Sequence, residues 1–174
     1  MFAPQAQPSP AIRARARAIA AQAATPRARV AAVYAAVEAE IAYLGLEFGV
    51  GAFRPRPAGD TLTSGKGDCK DMTALMVALL AALEIPAYPA LLRPRDQGAF
   101  IEAHPSPGQF SHVVLYVPSL DLWLDATAGL GTLEAVPGVL RGQMAFVVDG
   151  QGGSLRQIPA GDPAAAPLHA MRQV

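Results

Sequence analysis

Residues 67–86, GDCKDMTALMVALLAALEIP, restrict the possible folds more than any other stretch of the chain. Asp68 has the side chain of a helix N-cap. Asp71, three positions on, makes a short version of a capping box, in which Glu or Gln is more usual. From Met72 onward, Leu75, Met76, Leu79, Leu80 and Leu83 leave almost no polar face, and Pro86 stops the helix near Glu84. A helix apolar on nearly every side must be enclosed by other elements, so the rest of the chain has to supply layers around it. Cys69 lies in its first turn, where free backbone N–H groups and the positive end of the helix dipole favour a thiolate.

The elements ahead of this helix read as helical. Residues 1–8 mix prolines and glutamines with small residues, a composition that predicts a frayed lead-in. A first helix is expected from Ser9 to Ala24, with Pro10 in its first turn. Thr25-Pro26 restarts the chain as N-cap and N1. Val30, Val33, Tyr34, Val37 and Ile41 then follow mostly at helical spacing, up to Gly45 and Gly49. The stretch from Gly49 to Gly67 holds Pro55 and Pro57 and reads as a loop without regular structure, long enough to imply a job.

Behind the apolar helix the period changes. Ala87–Leu92, His112–Val117, Leu122–Asp125 and Ala145–Val148 are short apolar or alternating runs, and Ser119-Leu120-Asp121 links two of them as a hairpin turn. Residues 93–110 are loop-like, and the tail from Gly161 looks mobile. Helices first and strands later predict an α+β fold. The 174 residues suit a single domain with its ordered core between about 10 and 160.

Charge and cysteine content narrow the function. Fourteen basic and fourteen acidic residues cancel, so the chain has no general field for nucleic acid. Arg13, Arg15, Arg17, Arg27 and Arg29, with no acid among the first thirty residues, read as a solvated helix face or a patch for an anionic partner. A single cysteine excludes an intrachain disulfide and the usual structural zinc sites. Neither a secretory signal nor a run of ~20 apolar residues is present. Taken literally this predicts a cytosolic chain without membrane insertion; a piece of a longer exported protein would instead be periplasmic.

Chemistry concentrates at three positions. Cys69 is the candidate nucleophile. The chain's only lysines, Lys66 and Lys70, flank it and are offset by Asp68 and Asp71, while Gly65 and Gly67 permit close approach of a substrate backbone. The Cys69 N–H is the natural first donor of an oxyanion hole. His112 opens a strand, and Asp125 ends the next one. In an antiparallel hairpin the start of one strand lies near the end of the other, so these two are expected to be neighbours. An aspartate there would fix the imidazole tautomer in a nucleophile, base and orienting-acid arrangement. Each residue has a plainer reading: buried small hydrophobe, structural hydrogen-bonder and turn residue respectively. His104 and His169 sit beside a loop proline and in the tail, and neither is taken as catalytic.

The segments GKGDCKDMTALMVALLAALEIPAYPALL, FSHVVLYV and LWLDAT together resemble the transglutaminase-like superfamily, whose fold is related to papain-like proteases. The likeness extends over roughly residues 10–160 and is nearest to bacterial domains in which GDCKD precedes a Leu-rich helix. It implies a papain-like/transglutaminase-like core, with the Cys-bearing helix packed on an antiparallel sheet that carries the histidine and aspartate. It also implies Cys69 as nucleophile, His112 as general base, Asp125 as third member, and no metal or organic cofactor. Tyr43 is its candidate for the second oxyanion donor. Similar bacterial proteins often carry a preceding β-rich domain and an export signal. One departure is Glu84, which stands where the pattern usually has glycine.

Function is then expected to be acyl transfer on an amide of a peptide or protein, through a thioester. Water as acceptor makes a peptidase or amidase, and an amine makes a transglutaminase. The alternative class is a catalytically silent peptide- or protein-binding module of a larger protein. A weaker third reading, a purely structural intracellular domain, leaves the long loop before Cys69 without a purpose.

Overall fold

The computed structural model describes residues 2–45, 54–103, 106–130, 132–133 and 136–161. Helices α1 (Pro10–Ala20), α2 (Pro26–Glu40), α3 (Ala58–Ser64) and α4 (Cys69–Ala82) alternate with two short strands, β1 (Ala42–Tyr43) and β2 (Lys66–Gly67). Strands β3 (Tyr88–Leu92), β4 (His112–Val117), β5 (Leu122–Leu124), β6 (Met144–Val147) and β7 (Ser154–Gln157) follow. These five form one antiparallel sheet in the order β5-β4-β3-β6-β7. The architecture is the expected α+β one, with helices against an antiparallel sheet. Among the described residues no helix is long and apolar enough to cross a membrane.

The apolar helix occupies the centre. Every residue of α4 except Val77, Ala81 and Ala82 is buried, because α1, α2, α3 and the β3–β4 face all pack on it. Leu75, Met76, Leu79 and Leu80 meet Val30, Val33, Tyr34 and Val37 of α2 and Leu115, Val117 and Leu124 of the sheet. Strand β4 is buried on both faces. Leu115 and Val117 point at the helices, while Val114 and Tyr116 join Leu92, Trp123, Ala145, Val147 and Ile158 in a second cluster beyond the sheet. That double burial explains why HVVLYV reads as a nearly continuous apolar run.

Several expectations need correction. The lead-in does not fray: Phe2, Gln5 and Ala6 are buried, and the Gln5 carbonyl accepts the Ala58 N–H at 2.8 Å. Two apolar side chains are enough to anchor a segment whose composition otherwise resembles an unstructured tail. Helix α1 starts with Ser9 as cap, its Oγ accepting from the Ile12 N–H, but it ends at Ala20 rather than Ala24. Helix α2 starts as expected with Thr25 and Pro26 but ends at Glu40, five residues before Gly45. Its chain continues as β1, which pairs in parallel with β2, Tyr43 opposite Gly67.

The stretch from Gly49 to Gly67 is likewise not structureless in its described part. Pro55 and Pro57 precede α3 instead of preventing it, since proline's fixed φ suits a helix entrance. Glu84 explains the end of α4. Its φ of 61° puts it in the left-handed conformation, and the N–H groups of Glu84 and Ile85 bond the carbonyls of Ala81 and Leu80. This is the helix-ending motif that glycine normally fills, so the departure from the family pattern falls on the backbone of the helix terminus. His104, His169 and residues 162–174 of the tail lie outside the described residues.

Candidate active site

Cys69 stands at the first position of α4 because Asp68 caps it. The Asp68 Oδ1 accepts the N–H groups of Lys70 and Asp71, each at 3.1 Å. The other cap oxygen binds the Lys70 ammonium, and both side chains are buried. The second half of the expected capping box does not form. Asp71 turns away and accepts from the Arg56 N–H at 2.8 Å and its Nε at 2.9 Å. Lys70 and Arg56 are thus each paired with an aspartate of their own, whereas Lys66 is exposed.

The glycines before the helix have local causes. A Cβ on Gly67 would lie 2.9 Å from that of Asp71 and 3.2 Å from Cγ2 of Thr61, and Gly65 has a φ of 63° at the end of α3. Packing of α3 on α4 and a left-handed turn thus account for both. Tyr43 sits on β1 opposite Gly67, two residues before Cys69, with its side chain about half exposed.

His112 and Asp125 meet as the hairpin geometry requires. The β4–β5 ladder pairs Val117 with Leu122 and Leu115 with Leu124, so Asp125 emerges just beyond the ladder, near the start of β4. Its Oδ2 lies 2.8 Å from the His112 Nε2. The other oxygen, Oδ1, accepts from the Thr127 N–H at 3.0 Å and its Oγ1 at 2.7 Å. Cys69 lies close enough to the histidine to help raise its pKa; with Nε2 engaged by the carboxylate, Nδ1 is the ring nitrogen left for the thiol. All three residues singled out in the sequence are brought together, Cys69 from the helical layer and the other two from the sheet.

Electrostatics follow from this packing. Burial pulls the His112 pKa down, but the hydrogen bonds and charges of Asp125 and Cys69 outweigh it and push it up to about 10. Burial raises that of Asp125, yet the His112 bond and charge and the two Thr127 bonds hold it below the ordinary carboxylate range. The imidazolium and the carboxylate each favour the charged form of the other. Such an arrangement can hold a proton on His112, take one from a thiol and return it to a leaving group. Among the described residues no group of three or more His, Cys, Asp or Glu side chains is placed to hold a metal ion.

Four supporting residues were not evident from sequence. Thr127 carried a weak signal, since Asp followed by Thr two residues on favours an Asx-type turn. Thr73, whose Oγ1 donates to the Cys69 carbonyl at 2.7 Å, looked like one more core position. Arg56 lay in the stretch read as a loop. Tyr34, buried in α2, donates to the Asp125 carbonyl at 3.1 Å, and nothing local to either residue announces a contact across 91 positions.

Comparisons with known proteins bear on the family and the fold. The family model described as the transglutaminase-like superfamily matches residues 13–121. A solved structure of a candidate protease from Parabacteroides distasonis superposes with a TM-score of 0.71 at 12% identity. It covers 92% of this chain, which spans 30% of that one. A candidate cysteine protease from Cytophaga hutchinsonii superposes with a TM-score of 0.57 at 23% identity, covering 90% of this chain and 51% of its own. At these identities the likeness establishes the fold. A search of the curated proteins finds no match.

Proposed function

The chain belongs to the transglutaminase-like superfamily, and from that membership we propose that it is a cysteine-dependent enzyme of acyl transfer on amide bonds. Cys69 is the nucleophile, His112 the base and Asp125 the acid that orients it. The observation that carries this reading is the 2.8 Å contact between His112 and Asp125, with Cys69 close enough to help raise the His112 pKa.

The steps follow from the placement of the groups. The Cys69 sulfur attacks the amide carbonyl carbon while its proton resides on His112. The resulting oxyanion forms at the N-terminus of α4, where the Cys69 N–H is available as a donor and no charge has to reorganise. Collapse breaks the C–N bond, and His112 returns the proton to the departing ammonia or amine. Water or a second amine then attacks the thioester, His112 takes its proton, and the thiol is regenerated. Asp125 remains ionised throughout and keeps Nε2–H directed away from the reaction.

Hydrolysis is the favoured outcome, because transfer to an amine requires a groove that excludes water and the sequence shows no motif for one. Incubating the protein with a glutamine peptide and a primary amine, followed by mass spectrometry, decides it. Deamidated or cleaved peptide is expected. Amine incorporation with loss of ammonia overturns the hydrolytic preference, and an unchanged peptide across a broad amide panel overturns the enzyme reading for those substrates. One feature favours the second reading, a silent binding module: Cys69 is only 4% exposed. A thiol that iodoacetamide does not reach at neutral pH in the folded chain would support it.

A further inference from the structure

The reacting groups are divided between two layers. Cys69 rides on α4 among the other helices, whereas His112 and Asp125 belong to β4 and the end of β5. The distance from thiol to imidazole therefore depends on how the helical layer sits on the sheet. The last ladder pair is Leu115 with Leu124, so no strand hydrogen bond fixes the aspartate's backbone.

Two groups hold the Asp125 carbonyl. The Ala128 N–H reaches it at 3.2 Å and closes the turn, and the Tyr34 hydroxyl reaches it at 3.1 Å. The Ala128 bond travels with the turn and anchors it to nothing else. Tyr34 is different: its ring is buried in α2 beside Val30, Val33 and Val37, in the cluster that includes Leu75, Met76 and Leu79 of α4. Its position is thus set by the layer that carries the nucleophile. Burial first, then the hydrogen bond and charge of Glu38 and the charge of Asp125, raise the pKa of the phenol. The hydroxyl accordingly stays protonated, its one hydrogen shared between the Asp125 carbonyl and the Glu38 carboxylate.

We propose that Tyr34 is a positioning residue for the reaction: by tying the main chain of Asp125 to the helical layer, it holds the carboxylate, and through it the His112 ring, at the height of the Cys69 thiol. This rests on the reading of Cys69 and His112 as a working pair. The hydroxyl touches no reacting atom and acts through Asp125.

Tyr34→Phe keeps the ring and its packing and removes one oxygen. The test is the rate of Cys69 alkylation by iodoacetamide against pH, in the full chain, for the parent, Tyr34→Phe and His112→Ala, with thermal unfolding of each. At pH 7 the parent is expected to alkylate faster than His112→Ala, whose thiol has lost its imidazole partner. Tyr34→Phe is expected between them, its midpoint raised by about half to one unit and its rate at pH 7 lowered about three- to tenfold. The plateau at high pH stays unchanged. A merely structural role for the hydroxyl would lower the unfolding temperature and leave the midpoint in place, which overturns the proposal while the pair stands. A parent profile already indifferent to His112 overturns the pair, and the proposal with it. If phenylalanine prevents folding, site-specific 3-fluorotyrosine at position 34 keeps the ring and strengthens the donor. The midpoint must then move the opposite way, and an unmoved midpoint again overturns the proposal.

Discussion

Replacing Asp125 with asparagine tests the core of the chemistry, because the structure dictates how the amide must sit. The Oδ1 position accepts two donors, the Thr127 N–H and Oγ1. Only the carbonyl oxygen of an asparagine can serve there, so its NH₂ takes the Oδ2 position, 2.8 Å from the His112 Nε2. A donor at that point requires Nε2 to become an acceptor. His112 then carries its proton on Nδ1, facing Cys69, and cannot receive the thiol proton. The lost carboxylate acts in the same direction. The rise of the His112 pKa from 6.5 to about 10 is shared between Asp125 and Cys69. Forfeiting the larger part removes on the order of two units, or ~3 kcal/mol, from the stability of the imidazolium. Alkylation of Cys69 by iodoacetamide at pH 7 is therefore expected to fall about 100-fold, and amide turnover by more. Thermal unfolding measured alongside at pH 7 is expected to show a loss of about 2–3 kcal/mol from the weaker imidazolium, although the amide keeps the Thr127 bonds. An alkylation rate within about threefold of the parent, in a folded protein, would refute the tautomer argument.

Three further outcomes follow from other parts of the molecule. Because the His112 pKa is raised on folding, its contribution is complete below about 6.5 and lost as pH climbs through about 10. Urea unfolding of the parent should weaken over that window by up to ~5 kcal/mol, and His112→Ala should remove this dependence. Glu84→Gly relieves the left-handed φ of 61° at the end of α4 and is expected to stabilise by about 1 kcal/mol. That corresponds to a rise of about 2–4 °C in the midpoint of a calorimetric scan. Asp68→Ala removes the cap of α4 and leaves the buried Lys70 ammonium without its carboxylate. A loss of about 3–5 kcal/mol in denaturant unfolding is expected, and a loss below about 1 kcal/mol would mean that Lys70 escapes to solvent.

What the sequence revealed and what it concealed divide along physical lines. The buried helix was legible because its cap, its unbroken apolar surface and its proline stop agree at every level. The meeting of His112 with Asp125 was legible because a hairpin linked by Ser119-Leu120-Asp121 leaves few registers. Helix α3 was hidden because Pro55 and Pro57 look the same whether they break a structure or open one. Strands β1 and β2 are two residues each, too short for any period to show. Strand β7 alternates weakly at the sheet's edge, its side chains half-buried or exposed, and so has no apolar signature. The contacts that unite the two layers, Tyr34 to Asp125 above all, depend on tertiary placement to which local spacing is blind.

The docking of residues 2–6 also has a consequence in time. Phe2 and Ala6 share one buried cluster with Cys69, Ala74 and Val113, all of which are made after them. At a synthesis rate of roughly 5–20 residues per second, Val113 follows Phe2 by roughly 5–20 s. Through that interval Phe2 and Ala6 have no place to pack, and from the time it is made the thiol waits without its cover. A chain stalled before β4 emerges would keep both exposed, and there a holding chaperone would find its surface.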